Sequence, residues 1–423
     1  MKVTVFPSVL SGVVYVPTSK SIAQRIVACA SMAVGETRIS HFPSSDDCQH
    51  ALEIARSLGA VVRLDNEQWV IKGGFPHNFQ SDIRMPKGVL FCGESGLAAR
   101  MFSPIAALWH EEMVIEGAGT LNKRSMKTLE EWLPQLDVRV KLKEQGLPVR
   151  IQGPLEGGKV LADDVHSSQF VTGLMLAGAA SKKGVELEIA KVPSIGYVDT
   201  TIAVAKRFNV EIEKTNTGFW AKGGQKYQAR QITVDGDWSG AAFLLVAAAL
   251  CAEDGLLIQG LSTEIPQADQ AILEVLKLAR VRVEEEPTGY RVFASKIKGF
   301  QFDATDCPDL IPILAVLAVY GDAPSVIKGA KRLADKESNR AKAIQHEWSK
   351  MGINTVLRGD ELKVYPKAIQ SVHVHGHDDH RMVMALAVMA LGGASLTIHS
   401  AQAVTKSYPE FFEVIKSLGA RIE

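Results

Sequence analysis

Six copies of one pattern divide this chain: a short polar cluster followed directly by an alanine-rich, apolar run of helical length. The copies recur at intervals of 69 to 75 residues and lie at 18–33, 93–108, 166–180, 236–250, 306–320 and 378–392. A period of this length indicates one supersecondary unit used six times. Polar residues that precede a buried helix place hydroxyls, charges and backbone N–H groups at the positive end of its dipole. Six potential anion-binding helix ends are therefore expected.

A second repeat keeps step with the first. Each unit closes with an amphipathic helix that breaks into an alternating strand, as in RSLGAVVRL, which ends at Leu64. The junction between helix and strand favours a residue that tolerates unusual backbone angles. The predicted junction residues are Gly59, Asp137, Asn209, Ala279, Gly352 and Gly419.

Composition and charge exclude several classes of protein. Lys plus Arg and Asp plus Glu both number 47 in 423 residues, so net charge suggests neither nucleic acid nor an anionic membrane as partner. The longest apolar stretches fall short of the roughly 20 residues needed to span a bilayer. The start of the chain lacks the apolar segment of a signal peptide. The five cysteines show no CxxC pair, which is typical of reduced thiols. We expect a cytoplasmic enzyme.

The repeats predict an α/β (α+β) protein of two similar domains, each with three units and three central buried helices. The predicted N-terminal domain covers residues 14–235, and the C-terminal domain covers 1–13 and 236–423. The first strand, Lys2–Pro7, is expected to pair with the C-terminal half, whose last strand is Ala420–Glu423. The polar helix ends of both domains are then expected to line a substrate cleft between them.

Charged and polar side chains concentrate at these helix ends although the chain is neutral. Eight cations are predicted to line the cleft: Lys20, Arg25, Arg100, Arg124, Lys336, Arg340, Arg381 and Lys406. Such an excess of positive charge suits a ligand with more than one anionic group, such as phosphate and carboxylate. Asp309 and Glu337 would repel that ligand, so their presence among cations suggests proton transfer.

Simpler interpretations exist for several of these motifs. Lys20-Ser21 and Ser167-Ser168-Gln169 could be helix caps, and Glu337 could pair with a neighbouring cation at the surface. His373, His375 and His377 alternate on one strand face, yet nothing completes a tetrahedral metal site, so no metal is expected. No P-loop, no strand followed by GxGxxG and no GxSxG occurs, which argues against nucleotide binding and serine hydrolase chemistry.

Seven motifs in order resemble the enolpyruvyl transferase family, in particular the branch that acts on shikimate 3-phosphate. They are TSKSIAQR, SSDD, SSQF, GYVDTT, the Pro308-Asp309 pair, KESNR and DDHRM, and the resemblance runs from Lys2 to Glu423. It implies an inside-out α/β barrel in each domain, built from three βαβαββ-type units. It also implies a monomer that acts in aromatic amino-acid biosynthesis with no metal and no organic cofactor.

The resemblance implies a reaction and a role for each matching residue. Phosphoenolpyruvate would donate its enolpyruvyl group to the 5-hydroxyl of shikimate 3-phosphate and release phosphate. The implied catalytic residues are Asp309 as proton acceptor, Glu337 as proton donor and Lys20, a lysine that contacts both substrates. The implied shikimate 3-phosphate ligands are Lys20, Ser21, Arg25, Ser167, Ser168, Ser194, Asp309 and Lys336. The implied phosphoenolpyruvate ligands are Lys20, Gly96, Arg124, Gln169, Arg340, Arg381 and Lys406. Two alternatives are a UDP-N-acetylglucosamine enolpyruvyl transferase and a non-catalytic, anion-binding relative.

The chain departs from the family pattern mainly before the second helix. The family commonly has N-A-G-T-A-x-R-P, whereas this chain has E-S-G-L-A-A-R-M from Glu94 to Met101. Gly96 and Arg100 persist, but a carboxylate at Glu94 is expected to weaken phosphoenolpyruvate binding unless it turns away or pairs with a cation. Asn339 also replaces the usual aspartate of KESDR. These changes leave affinity and glyphosate sensitivity open.

Overall fold

The computed structural model describes residues 1–75, 88–334 and 336–423. In these parts of the chain the α-helices are α1 (Lys20–Met32), α2 (Asp46–Ser57), α3 (Gly96–Ala106), α4 (Lys127–Trp132), α5 (Ser168–Ala180), α6 (Gly196–Arg207), α7 (Trp238–Cys251), α8 (Ile272–Leu278), α9 (Ile311–Val319), α10 (Arg340–Lys350), α11 (His380–Gly392) and α12 (Phe411–Ser417). The odd-numbered helices are those predicted from the six apolar runs.

The strands are short and follow the helices in a regular order. They are β1 (Lys2–Val5), β2 (Gly12–Tyr15), β3 (Gly35–Ser40), β4 (Val61–Asp65), β5 (Gln68–Gly73), β6 (Val89–Phe91), β7 (Glu112–Glu116), β8 (Arg139–Lys143), β9 (Gly146–Gln152), β10 (Gly158–Ala162), β11 (Gly184–Ile189), β12 (Glu213–Thr215), β13 (Gly218–Lys222), β14 (Gln231–Thr233), β15 (Leu256–Gln259), β16 (Arg282–Glu286), β17 (Gly289–Phe293), β18 (Gln301–Asp303), β19 (Ser325–Lys328), β20 (Thr355–Arg358), β21 (Glu361–Val364), β22 (Val372–His375) and β23 (Leu396–His399).

Each repeat has one sheet with the same topology. In β6-β7-β9-β8, for example, the first pair is parallel and the next two pairs are antiparallel. The same pattern recurs in β10-β11-β13-β12, β18-β19-β21-β20, β14-β3-β5-β4 and, from its other edge, β16-β17-β15-β2. Each complete repeat is therefore a βαβαββ unit, which confirms the predicted fold class.

The N-terminal strand completes the sixth sheet. β22 pairs parallel with β23, and β1 pairs antiparallel with β23. A bridge between Val5 and Ile422 adds the C-terminal end of the chain on the other side of β1. The predicted pairing of the first strand with the C-terminal half is confirmed.

The chain forms two compact units. The N-terminal unit comprises Lys20–Val234 with Glu264–Gln267, and the C-terminal unit comprises Met1–Ser19, Asp235–Thr263 and Ala268–Glu423. Residues 14–19, which the sequence placed in the N-terminal domain, lie in the C-terminal unit because β2 pairs in parallel with β15. Glu264–Gln267 joins the N-terminal unit, where Thr200 Oγ1 donates to the Pro266 carbonyl at 2.6 Å.

The central helices are buried on all sides. In α7, Phe243, Leu244, Leu245 and Val246 are four consecutive residues with no exposed surface, so this helix has no solvent face. Burying each such side chain contributes about 1.5–3 kcal/mol relative to exposure. Packing is close enough in the N-terminal unit that a Cβ on Gly173 of α5 would lie 2.5 Å from the Met101 carbonyl oxygen of α3. The charged side chains of these helices lie within their first two turns.

No helix in the described residues combines the length and the apolar character that crossing a membrane would require.

The helix-to-strand junctions use the left-handed backbone region. Five of the predicted residues have positive φ, from +60° at Asp137 to +112° at Gly419. The fourth junction differs: Ala279 has φ −76°, and the next residue, Arg280, takes φ +59°. The sequence prediction was wrong by one position there, because no residue of this segment signals the left-handed conformation.

Replacing Arg280 by glycine should therefore stabilise the C-terminal unit. Arg280 is exposed, and a left-handed conformation costs a non-glycine residue roughly 1 kcal/mol. We expect Arg280→Gly to raise the free energy of unfolding by about 0.5–1 kcal/mol, measured by urea denaturation. The matched control is Ala279→Gly, which should lower it because Ala279 is buried with ordinary backbone angles. Equal effects of the two variants would contradict the assignment.

Candidate active site

The start of α1 carries a partly buried ion pair. Lys20, the first residue of the helix, donates from Nζ to Asp47 Oδ2 at 2.9 Å, and the two side chains are 15% and 11% exposed. Asp47 lies in the first turn of α2, within the SSDD motif. That motif therefore supplies a counter-ion to the predicted catalytic lysine, a role that the sequence did not assign.

Arg25 lies one turn further along α1 and is buried. It donates from Nε to Thr201 Oγ1 at 2.8 Å, from Nη2 to the Tyr197 carbonyl at 3.1 Å and from Nη1 to the Ser21 carbonyl at 2.8 Å. Burial lowers the pKa of the guanidinium to about 10. The GYVDTT segment thus holds Arg25 through α6, so this arginine joins two helices of the N-terminal unit.

Three predicted ligand residues and one predicted cleft cation, Arg100, meet at the start of α3. A Cβ on Gly96 would lie 2.9 Å from Arg124 Nη1, 3.1 Å from Arg100 Nη1 and 3.7 Å from Gln169 Oε1. Arg100 also donates from Nη1 to Gln169 Oε1 at 2.9 Å, and its guanidinium lies 5.3 Å from the centre of the Phe170 ring. Two buried guanidinium groups and an amide therefore converge on a glycine that leaves them room. We call these four residues the Gly96 cluster.

Side-chain caps occupy some of the helix N-termini. Ser95 Oγ accepts from Ala98 N at 3.3 Å in α3, and Ser167 Oγ accepts from Gln169 N at 3.3 Å in α5. Asp237 and Asp379 cap α7 and α11 in the same way. Ser167 is therefore a helix cap, and this bond uses its hydroxyl oxygen only as an acceptor. Ser168 is the buried first residue of α5, and Ser194, also buried, has a left-handed backbone with φ +57° before α6.

In the C-terminal unit, Asp309 binds three cations. Its Oδ1 accepts from Arg340 Nη1 at 2.8 Å and from Lys336 Nζ at 3.2 Å, and its Oδ2 accepts from Arg381 Nη2 at 3.0 Å. Glu337 Oε2 accepts from Arg340 Nη2 at 2.5 Å. Five predicted site residues are thereby in one hydrogen-bonded group, and the Asp309 side chain is still 19% exposed.

Asp379 fixes the most deeply buried member of this group. Arg340 is fully buried and donates from Nε to Asp379 Oδ2 at 2.8 Å and from Nη2 to Asp379 Oδ1 at 3.2 Å. Ser338 Oγ also donates to Asp379 at 3.0 Å. Burial opposes ionisation of Arg340, but Asp379, Glu337 and Asp309 together raise its pKa above the usual value.

The charges in this cluster balance, which corrects one step of the sequence argument. Lys336, Arg340 and Arg381 face Asp309, Glu337 and Asp379, so three cations meet three carboxylates rather than standing in excess. We call these six residues the Asp309 cluster. Lys406 donates to the Asp378 carbonyl at 2.8 Å. Asp379 lies two residues before Arg381 in the DDHR motif, and the sequence analysis assigned it no role.

Burial and neighbouring charge act in opposite directions on Asp309. Burial alone would raise the pKa of this carboxyl, but Arg381, Lys336 and Arg340 outweigh it and hold the pKa well below the usual range. Asp309 is therefore an ionised counter-ion to these three cations.

A second buried carboxylate lies near this group and was missed by the sequence analysis. Asp269, in the short 3₁₀ helix Ala268–Ala271, is 1% exposed and accepts a hydrogen bond from Ser239 Oγ in the first turn of α7. Nothing in its sequence context, PQADQ, has a spacing that marks a site.

The histidine-rich strand has structural partners. His377 Nε2 lies 2.7 Å from Oε1 of the buried Glu347, and His373 Nδ1 lies 3.3 Å from His399 Nε2. In the parts of the chain that the structure describes, no group of three or more His, Cys, Asp or Glu side chains is arranged to hold a metal ion.

Comparisons with known proteins match this chain over nearly its full length. A sequence profile of EPSP synthase (3-phosphoshikimate 1-carboxyvinyltransferase) matches residues 6–415. The 3-phosphoshikimate 1-carboxyvinyltransferase of Clostridium kluyveri is 34% identical, and the match covers 100% of this chain and 98% of that protein. The protein of the same name from Halobacterium salinarum strain R1 is 34% identical, with 99% of each chain covered.

Solved structures show the same fold. An EPSP synthase from Acinetobacter baumannii has a TM-score of 0.83 at 24% identity, with 100% of this chain and 99% of that chain covered. The enolpyruvyl transferase NikO from Streptomyces tendae has a TM-score of 0.75 at 17% identity, with 100% and 98% covered. At these identities the structures support the fold alone. The profile match and the identity to full-length relatives show that the chain belongs to the EPSP synthase (3-phosphoshikimate 1-carboxyvinyltransferase) family.

Proposed function

We propose that this chain transfers the enolpyruvyl group of phosphoenolpyruvate to the 5-hydroxyl of shikimate 3-phosphate and releases phosphate. The observation that carries the proposal is the Asp309 cluster, in which an accessible carboxylate is bound by three cations. An anionic ligand can compete for those cations and leave the carboxylate to act on a proton. The profile match and the names of the relatives support the choice of substrates.

The reaction requires one proton acceptor and one proton donor. The 5-hydroxyl loses its proton to Asp309 while its oxygen attacks C2 of phosphoenolpyruvate, and C3 gains a proton from Glu337. The resulting tetrahedral ketal phosphate then loses a proton from C3 and expels phosphate, which restores the carbon–carbon double bond. Both carboxylates accept hydrogen bonds from Arg340, which places the proton donor and the proton acceptor within one hydrogen-bonded group.

Anion binding would also activate the base. Three cations hold the pKa of Asp309 well below the usual range, which makes its carboxylate a poor proton acceptor. A phosphate or carboxylate that binds Arg381, Arg340 or Lys336 shares their positive charge and thereby raises the pKa of Asp309. Substrate binding and the pKa of Asp309 are linked in this way.

The Gly96 cluster suits the planar anion of phosphoenolpyruvate. Arginine binds carboxylate or phosphate through two parallel N–H donors, and Arg100 and Arg124 are both largely removed from water. We assign Gly96, Arg124 and Gln169 to phosphoenolpyruvate, together with Arg340, Arg381 and Lys406. Lys20, Ser21, Arg25, Ser167, Ser168, Ser194, Asp309 and Lys336 are assigned to shikimate 3-phosphate.

The compartment and oligomeric state belong to the same proposal. All five cysteines are buried free thiols, which suits a reducing compartment such as the cytoplasm. We assign the chain to the cytoplasm as a monomer that needs no metal or organic cofactor.

One assay tests the reaction and its alternatives. Purified protein should release phosphate from phosphoenolpyruvate with shikimate 3-phosphate as acceptor and show no release with UDP-N-acetylglucosamine. Release with the sugar nucleotide alone would support the cell-wall branch of the fold. No release with either acceptor, from protein shown to be folded by thermal unfolding, would favour a non-catalytic relative.

The assigned acid and base should dominate turnover. Asp309→Ala and Glu337→Gln should each lower kcat by roughly 10²- to 10⁴-fold, because proton transfer in the transition state contributes about that much. Asp309→Asn retains the size of the side chain and one acceptor oxygen for the neighbouring cations, so it disturbs the packing less than Asp309→Ala. The matched control is Asp306→Ala, an exposed aspartate in the same segment that should leave kcat unchanged. Near-normal turnover in Asp309→Asn would remove its role as base.

The buried Asp269 should affect stability as a function of pH. Burial, followed by the negative charge of Asp309, raises the pKa of Asp269 from 3.8 to about 6. Between these values the folded state binds more protons than the unfolded state, so this residue makes stability fall as pH rises from about 4 to 6. Asp269→Asn should remove that contribution. Its stability relative to wild type, measured from urea midpoints, should therefore be higher at pH 7 than at pH 4. Asp254→Asn, at an exposed position, should show no such difference between the two pH values, and an equal pH dependence in both variants would contradict the assignment.

A further inference from the structure

Glu94 binds the loop that carries Arg124. Its Oε2 accepts from the backbone N–H of Thr120 at 3.2 Å and from Thr120 Oγ1 at 3.3 Å. Glu94 immediately precedes Ser95, the cap of α3, whereas Thr120 lies in the 3₁₀ helix Gly119–Lys123 that ends just before Arg124. A single carboxylate oxygen therefore connects the start of a buried helix with a surface loop.

Gly119 leaves the space that the Glu94 carboxylate occupies. It has φ +53°, and a Cβ there would lie 2.5 Å from the Glu94 carboxyl carbon, so no larger residue could occupy the position without displacing Glu94. The backbone supports the same contact, since Ala118 N donates to the Gly93 carbonyl at 2.7 Å. The loop is thus docked on residues 93–94 by three hydrogen bonds and one close approach.

The docked loop directs Arg124 towards Gly96. Arg124 N donates to the Leu121 carbonyl at 3.0 Å, and Arg124 Nη2 lies 3.5 Å from Thr120 Oγ1, the hydroxyl that donates to Glu94. The other terminal nitrogen, Nη1, is the group 2.9 Å from a Cβ at Gly96. Thr120 therefore contacts both Glu94 and the guanidinium of Arg124.

We propose that Glu94 is a positioning residue that fixes the Thr120 loop so that Arg124 faces Gly96. The proposal rests on the proposed function in one respect, that Arg124 binds phosphoenolpyruvate. The family commonly has asparagine at this position, and a carboxylate next to an anion site would be expected to repel the substrate. In this chain the carboxylate instead accepts two hydrogen bonds from the loop, and charged acceptors make stronger hydrogen bonds than neutral ones.

Opposite changes in KM separate positioning from repulsion. If Glu94 positions Arg124, Glu94→Ala should raise the KM for phosphoenolpyruvate by roughly tenfold, the effect of about 1.4 kcal/mol, with a smaller change in kcat. Glu94→Gln keeps an acceptor oxygen and should restore most of the affinity. If the charge mainly repels substrate, both variants should lower KM, and that result would overturn the proposal.

A double-variant series tests the path through Thr120. Thr120→Val removes the hydroxyl but retains the N–H, so its effect on KM should be smaller than that of Glu94→Ala. In an Arg124→Ala background, Glu94→Ala should cause no further rise in KM, because it acts through that arginine. An additive rise would show that Glu94 acts elsewhere and would contradict the proposal.

Controls distinguish this proposal from the proposed function. Glu116→Ala removes an exposed acid just before the same loop and should leave KM unchanged. Thermal unfolding of each variant shows whether a change in KM reflects lost structure. If wild-type protein released no phosphate, the proposed function would fail; if it did and Glu94→Ala left KM unchanged, the positioning role alone would fail.

Discussion

Full burial of the central helices is the constraint on which the rest of this structure depends. A helix with no solvent face cannot carry charged side chains along its length, because an unpaired charge in the core costs several kcal/mol. Charged side chains are therefore concentrated in the first two turns, where side chains such as Asp379 cap the helix and residues such as Arg381 follow. The six-fold repetition of one unit thus also repeats a polar helix start.

The Asp309 cluster shows how several charged side chains are accommodated at one such helix end. Arg340 is fully buried, and its guanidinium reaches three carboxylates, of which Asp379 is buried and Asp309 and Glu337 are partly exposed. The buried pair sets the geometry, whereas Asp309 and Glu337 are the carboxylates that an anionic substrate would displace from the cations under the proposed function.

Sequence periodicity predicted the central helices and five of six junction residues, because these features are encoded locally. Five of the six members of the Asp309 cluster were candidate site residues because they lie in charged motifs at or near the ends of the repeated helices. The register at Arg280 could not be predicted, since arginine has no preference for the left-handed region. Asp47 and Asp269 were missed for a different reason. Each meets its partner, Lys20 or Ser239, only through packing of segments about 30 residues apart, and neither spacing is characteristic of a known motif.

The region around Glu94 shows the limit of reasoning from family pattern alone. Taken by itself, a carboxylate in place of asparagine indicates a weaker anion site. In the structure the same carboxylate meets a glycine with left-handed backbone at 119 and a hydroxyl at 120, which together give it hydrogen bonds and space. The effect of a substitution in a binding site depends on the residues that contact the new side chain. In this chain those residues lie on the loop that leads to Arg124, so the departure changes how the arginine is held rather than whether it is present.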